Sequence, residues 1–532
     1  MTQVLVIGGG PSGLAAALEL GRRGIDVVVV EPRTTLDPLR ARAKTTSVRT
    51  MEHLRRWGLA DRLRELAPLP VSHAQDVVFC TGMFGHEITR FTEAFGLVTE
   101  RRDEFAEAGQ QAPQPVVEQV LREAVASLPS VSLLVGWVAV SVEDGPLPRA
   151  VVRSPDGREH EVRAEYVLGC DGSAGITRRA IGARYEGASG TMPNLSVTFR
   201  APDLETRPLC GLGVHYWVIG AEVGGLLGRL DLDGTWWAIV QGVHDGADPA
   251  ALVRSLTGAR EVEVLATDPW SARMLLVDRY RGERVFLVGD AAHLNPPWGG
   301  HGFNTCVGDA VNLGWKIAAV LRGWAPSSLL DSYEAERRPV AERTIEAAGS
   351  QEAFLAPAFG SVDLEDAGVR AQLAEALQVK DPEFHSLGLV LGYDYPSSPI
   401  VVADGDDVPS PTLTEYVPSS HPGARLPHAW LGDGDSLYDR LGPEFTLLRL
   451  TPGVDITRLL NTARGFGIPL TVLDAPTLRP HYDADLLLVR PDQHIAWRGS
   501  SPEDPATICR TVTGALRPTA RPTPAASHGA AR

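Results

Sequence analysis

Hydrophobic and polar positions along this chain follow two different rhythms. Residues 4–7 form a short apolar run, the stretch Gly8-Gly9-Gly10-Pro11-Ser12-Gly13 interrupts it, and residues 14–23 then place Leu14, Ala17, Leu18 and Gly21 on one helical face. A second apolar run, residues 27–30, ends at Glu31. The pattern predicts a strand–turn–helix–strand unit of about 30 residues, with a further helix near residues 46–57. Residues 196–200, 216–219 and 235–241 alternate with period two and are rich in aromatics, which predicts strands of a separate antiparallel sheet. Residues 284–288 are another apolar strand running into Gly289-Asp290, and helical stretches follow over 309–321 and 331–348. Residues 392–426 are dense in Pro, Ser, Asp and Gly and read as a linker. A compact α/β pattern then extends to about residue 515, with strands near 445–449, 470–473 and 486–489. The stretch from Arg517 onward reads as a disordered tail.

Composition narrows the function classes. A chain of 532 residues implies two to four domains at roughly 100–200 residues each. Asp and Glu number 66 against 50 Lys and Arg, a formal charge of −16, which argues against nucleic acid or an anionic membrane as partner. The five cysteines (Cys80, Cys170, Cys210, Cys306, Cys509) have no CxxC spacing, so neither a disulfide framework nor a metal site is expected. A reducing, cytoplasmic compartment fits. The chain opens on a strand pattern rather than a signal peptide, and no apolar run of about 18 residues predicts a membrane span. Lys44, Lys316 and Lys380 are the only lysines, an arginine bias that GC-rich coding explains.

Gly8-x-Gly10-x-x-Gly13 sits between strand and helix, where dinucleotide binding requires it. Gly8 permits the tight turn, Gly10 lets the backbone approach a pyrophosphate, and Gly13 lets the helix pack on the strand. The helix N-terminus, opened by Pro11 and Ser12, offers N–H groups and a positive dipole end to that pyrophosphate. Glu31, about 20 residues on, is placed to accept from ribose hydroxyls and favours the ADP half of FAD or NAD. Those residues leave FAD and NAD unseparated.

A second motif separates them. Gly289-Asp290-Ala291-Ala292-His293 continues through Pro296-Pro297-Trp298-Gly299-Gly300-His301-Gly302-Phe303-Asn304 to Asp309. This run resembles the second FAD-binding motif of the class A flavoprotein monooxygenases, the p-hydroxybenzoate hydroxylase-like aromatic hydroxylases. The resemblance implies that Asp290 holds the ribityl chain. It also implies that Pro297, Gly300, Gly302, Phe303 and Asn304 run under the isoalloxazine ring, with the Pro297 carbonyl near the transferred oxygen. Cys170-Asp171-Gly172 resembles the family's Asp-Gly motif, with Gly175 where the family carries Ser and with Arg178 retained. By the same resemblance Arg42 reaches the pyrophosphate, Arg33 joins the adenosine end, and Gln114 contacts the flavin. Gly423-x-Arg425-x-Pro427-His428-x-Trp430 and the segment from Leu488 to Trp497 look like the C-terminal thioredoxin-like domain of the phenol and polyketide hydroxylase branch. This copy lacks CxxC, so a structural, docking or dimer role is expected rather than thiol chemistry.

The resemblance implies an α/β fold: a Rossmann-like FAD-binding domain, an inserted antiparallel sheet domain and a thioredoxin-like C-terminal domain. Its boundaries are 1–180, 181–275, 276–400 and 401–515, with a tail over 516–532. The implied reaction is NAD(P)H-dependent hydroxylation of a phenolic or polycyclic aromatic substrate with O₂, through a flavin C4a-hydroperoxide, by a monomer or homodimer. Baeyer–Villiger oxygen insertion, epoxidation, and flavin reduction without oxygen transfer remain alternatives. In the sheet, Trp217 and Trp236 are the expected substrate-facing aromatics. Alternation puts Trp236 and Trp237 on opposite faces, and His215 is the candidate acid or base.

Overall fold

The computed structural model describes residues 1–516 except 41, 207–209, 220–223, 244–245, 353–362, 407, 409–411 and 433. The expected tail from 517 lies outside the described residues. The opening unit forms as its pattern dictates: strand β1 (Thr2–Ile7), helix α1 (Pro11–Gly21) and strand β2 (Val27–Glu31). Pro11 at the first helical position supplies the fixed φ that helix entry needs. β1 lies at the centre of a parallel sheet in the order Val131–Val135, β2, β1, Glu159–Gly169, Val285–Leu287. Strands buried on both faces need continuous apolar runs rather than alternation, and β1 and β2 supply them.

A second sheet of eight strands is antiparallel except where His215–Val218 runs parallel to Val77–Cys80. Its strands Val77–Cys80 and Glu87–Phe91 come from the first 100 residues, so the sheet is not confined to the expected 181–275 insert. Period-two alternation sorts its side chains. His215, Trp217, Leu226, Trp237 and Ile239 share one face, while Tyr216, Leu227, Trp236, Ala238 and Val240 share the other.

The C-terminal unit has four strands, ordered Leu470–Asp474, Phe445–Arg449, Leu486–Val489, Ile495–Gly499, with helices Thr457–Gly465 and Pro505–Val512. Its core runs into the body through Trp315, Trp324 and Leu329. Residues 392–426 do not form a loose linker. Their Pro and Gly content permits irregular backbone, but Tyr395, Ile400, Arg425 and Leu426 are buried in the seam between the units.

Charge closes that seam. Glu336, on helix Ser332–Glu352, accepts from Arg490 Nη1 (2.6 Å) and Nη2 (2.8 Å), Lys316 Nζ (2.6 Å), Asn312 Nδ2 (2.7 Å) and Ser398 Oγ (2.5 Å). Burial alone would raise its pKa, but Arg490 and Lys316 hold it well below the usual carboxylate range. A second cluster joins Arg425 to Glu52 at 2.5 Å, with Arg49 at 3.0 Å from the same carboxylate. Arg425, Arg490 and Asp492 therefore tie this unit to the body.

Arg490→Met should cost about 3–5 kcal/mol in chemical denaturation, because it strands a buried carboxylate. Adding Glu336→Met should deepen that loss rather than relieve it, because it leaves the buried Lys316 ammonium without its carboxylate. An unchanged unfolding midpoint in the single variant would contradict the docking role.

Candidate active site

The Gly8 turn adopts φ +103°, and a Cβ there would lie 2.2 Å from the Cys170 carbonyl oxygen; a Cβ on Gly13 would lie 1.9 Å from the Gly8 oxygen. Both positions admit only glycine. Gly13 accordingly works by packing behind the turn. Gly10 is different: a Cβ there meets nothing closer than Arg33 Nη2 at 3.9 Å, and the residue faces a cavity. No side chain caps α1, so its first-turn N–H groups are left for whatever enters.

Glu31 is buried at the end of β2. It accepts from Gly9 N (2.7 Å), Arg33 N (2.9 Å) and Arg33 Nε (2.7 Å), and the Arg33 guanidinium also meets Glu118 at 3.0 Å. Gln114 opens helix Gln114–Ala126 and donates to Glu118 Oε1 at 2.7 Å. Arg42 stands exposed at the cavity rim, 3.4 Å from Asp268, and must leave that carboxylate to reach a pyrophosphate.

At the far end, Asp290 faces the cavity from the turn after strand Val285–Leu287. It takes one weak contact, from Cys306 Sγ at 3.5 Å, and no salt bridge reaches it among the described residues. Its backbone is braced instead: Tyr185 OH donates to the Asp290 carbonyl at 2.5 Å, and Arg178 packs 4.3 Å over the Tyr185 ring. Asp171 accepts from Thr177 N (2.9 Å) and Thr177 Oγ1 (2.5 Å). A Cβ on Gly175 would overlap the Asp171 carboxylate at 2.2 Å, so Thr177 supplies the hydroxyl and Gly175 leaves the room.

The Pro297–Gly300 turn leads into helix His301–Leu321, whose N-cap Gly300 has φ +68° and no side-chain cap. Asn304 ties this turn to the neighbouring chain. Its Nδ2 donates to Thr45 O (3.0 Å) and Gly300 O (2.7 Å), and its Oδ1 accepts from Ser47 N (2.9 Å). Asn304 borders a smaller adjoining cavity of about 270 Å³ rather than the main one.

These parts share one cavity of about 700 Å³, lined by Gly8, Gly10, Pro11, Ser12, Glu31, Arg33, Arg42, Gln114, Asp171, Asp290, Pro297, Gly300, Gly302 and Phe303. Uncapped helix N-termini open onto both ends of it. The Asp290 carboxylate, which no salt bridge reaches among the described residues, faces it as well. This donor set fits a flavin dinucleotide: N–H groups for the pyrophosphate, an acid for polyhydroxyl, and a second positive helix end for the electron-rich edge of the ring.

Residues 1–348 match the family described as FAD binding domain, and residues 419–517 match aromatic-ring hydroxylase, C-terminal. The chain belongs to the FAD-dependent aromatic-ring hydroxylases. It is 30% identical to the phenol 2-monooxygenase of Pseudomonas sp. (strain EST1001), over 94% of this chain and 90% of that protein. The structure of the rebeccamycin biosynthetic enzyme RebC with reduced flavin superposes with a TM-score of 0.87 at 33% identity, covering 97% and 99% of the two chains. A ternary complex of aklavinone-11 hydroxylase with FAD and aklavinone gives 0.82 at 28%, covering 96% and 99%. FAD is the cofactor of this hydroxylase, and NAD(P)H is the reductant its family implies.

Besides the Pro297–Gly300 turn, the cavity of this hydroxylase is walled by Phe95, His215, Leu226, Trp237 and Ile239. The tryptophan expectations need correction. Trp236 lies on the far face of the sheet, where its indole N–H donates to Glu205 Oε1 at 2.8 Å, and Trp237 takes the cavity position. Trp217 is on the cavity side but is covered, stacked on Phe79 (5.6 Å) and packed against Trp298 (5.8 Å). Sequence reasoning also missed Lys44, Phe95 and Glu383, which reach the cavity from the segment preceding residue 100 and from helix Asp381–Phe384. Parity within strand 235–241 was the one available signal, and it could not say which face was occupied.

Asp290→Ala and Gly10→Val should each yield protein without bound flavin, measured as the 450 nm to 280 nm absorbance ratio; stoichiometric yellow protein from either would contradict the assignment. Gly175→Ser restores the family's usual residue yet should weaken flavin retention by displacing Asp171. Retention equal to the unmodified protein would show that the Asp171–Thr177 arrangement is not needed.

Proposed function

We propose that this hydroxylase acts on a phenolic, polyketide-like aromatic ring bound between Trp237 and the Pro297–Gly300 turn. The observation that carries the reading is the apolar wall of Phe95, Leu226, Trp237 and Ile239, which faces the same turn that the flavin motif builds. Relatives named for phenol and for aklavinone span both small and polycyclic substrates.

When bound, FAD takes hydride from NAD(P)H and activates O₂ for transfer of one oxygen atom to the ring. The chain's own residues bind and orient. The α1 N-terminus and Gly10 would take the pyrophosphate, Arg42 would join them on leaving Asp268, Glu31 and Arg33 would hold the adenosine end, and Asp290 would accept from the ribityl hydroxyls. Gln114 and Asp171 flank the cavity between. Asn304 keeps the Gly300 turn fixed to Thr45 and Ser47, which holds rigid the helix end that would meet the flavin ring. The aromatic wall excludes water, which protects oxygen transfer from a wasteful release of peroxide. Among the described residues no helix is long and apolar enough to cross a membrane. The described cysteines are all free, in keeping with action in the cytoplasm.

Under ¹⁸O₂, a panel of mono- and polycyclic phenols should yield at least one product carrying a single ¹⁸O, with NAD(P)H oxidised in step. NAD(P)H consumption with no labelled product across the panel, all of it recovered as peroxide, would overturn this reading. Trp237→Ala should raise the peroxide released per NAD(P)H several-fold while leaving bound flavin unchanged.

A further inference from the structure

Lys44 is not part of any flavin motif, yet its side chain lines the main cavity. Its ammonium stacks 4.0 Å over the Trp237 ring, and Nζ donates to the Arg42 carbonyl at 3.1 Å. No carboxylate pairs with it among the described residues; Glu383, which borders the same cavity, is already taken by Lys380 at 2.5 Å. Position is fixed by Thr45, the next residue. A Cβ on Gly300 would lie 3.1 Å from Thr45 Cβ, and Asn304 bonds the Thr45 carbonyl, so Lys44 belongs to the flavin-ring end of the cavity.

His215 faces the same space from its strand. It is 8% exposed, its ring meets Trp237 edge-on at 5.0 Å, and its Nε2 is buried without a hydrogen-bond partner. A buried polar atom without a partner costs stability unless a ligand supplies one. Burial, and then the Lys44 charge, push the imidazole down to about 3, so it is neutral at working pH and has one N–H to give. Burial also pulls Lys44 down to about 7, which lets its amine exchange a proton near neutrality.

Resting on the aromatic-hydroxylase reading above, we propose that Lys44 and His215 anchor a ring hydroxyl of the substrate, with Lys44 Nζ taking its proton and His215 Nε2–H holding the resulting oxyanion. The hydroxyl O–H bond breaks, an N–H bond forms on Lys44, and the electron pair stays on the substrate oxygen. Ammonium and phenolate then neutralise each other in the cavity. The electron pair raises the negative charge at the ortho and para carbons. One of these would take a single oxygen atom supplied by bound FAD and O₂ while its ring hydrogen leaves as a proton, the other oxygen going to water at the expense of NAD(P)H. Lys44 is thus a catalytic residue for this reaction, and the pair selects phenols over rings without a free hydroxyl, because an ether oxygen can accept from His215 but has no proton for Lys44 to take.

Two readouts test this on the FAD-loaded full chain, with 2-naphthol and its methyl ether as probes. Lys316 and Lys380 are 0% and 1% exposed, so native reductive ¹³C-methylation should label Lys44 among the lysines, with Lys44→Met as the assignment control. The Lys44 signal should shift with 2-naphthol and not with the ether; an equal shift with both overturns the anchor. Lys44→Met should lower kcat for naphthol oxygenation by about 10²–10⁴-fold. Lys44→Arg should keep KM within a few fold while losing kcat, since a guanidinium cannot take the proton. His215→Asn should outperform His215→Leu. Wild-type turnover in Lys44→Met or Lys44→Arg overturns the base assignment, and a Lys44→Met protein that cannot hold flavin moves Lys44 to the cofactor and overturns it too. A wild-type enzyme that oxygenates no phenol sinks the underlying reading instead.

Discussion

Helix His301–Leu321 can aim its uncapped N-terminus at the cavity only because the charge it buries is fully paired. Asp309 meets His293 Nε2 at 2.8 Å and Arg337 Nε at 2.7 Å, and Lys316 meets Glu336 at 2.6 Å. Each of these groups is a twentieth exposed or less. Removing one partner would leave a charge in low dielectric and loosen the helix that carries the Gly300 turn. The network does not stop at the body. Arg490 and Asp492 bring the C-terminal unit into it, so a domain without redox chemistry is tied to the site through packing and charge.

The acidic chain therefore handles an anionic cofactor locally. Two helix ends without a capping side chain and a few cations in the cavity wall, Arg33, Arg42 and Lys44, supply positive potential there without a broadly basic surface. Tyr185, with Arg178 packed over its ring, holds the Asp290 backbone and not its carboxylate. The opposite wall is set by strand parity. One face of the second sheet is a closed core around Trp236, and the other presents Trp237, His215 and Ile239 to the turn.

What the sequence shows plainly is what is local. Gly8, Gly10, Gly13 and Glu31 lie within one strand–turn–helix–strand unit, and Asp290 through Asn304 within one loop, so spacing alone carries their geometry. Two hydrophobic rhythms separate the α/β units from the antiparallel sheet, and the family resemblance implies how they are joined. Trp236 and Trp237 show the limit: alternation separates them, but which face is open depends on strands 77–80 and 215–218, whose paired residues, such as Val77 and His215, lie 138 positions apart. Lys44 is invisible for the same reason, because its meaning comes from Trp237 and Gly300, and a shortage of lysine looks like coding bias. Residues 392–426 have linker composition, yet Tyr395 and Arg425 within them are anchored by Arg337 and Glu52, partners far away in sequence. Gly175, a departure from the family pattern, becomes intelligible once Asp171 is seen lying over its Cα.

The central claim is that one cavity holds the flavin ring at the Gly299–Gly300 turn and the substrate ring against Trp237. A crystal structure of the FAD-loaded protein with a bound phenol tests it most directly. The account predicts the isoalloxazine over that turn, the phenol between it and Trp237, and the phenol oxygen at Lys44 and His215. A phenol bound elsewhere, or a flavin ring lodged against Trp237 itself, would contradict it.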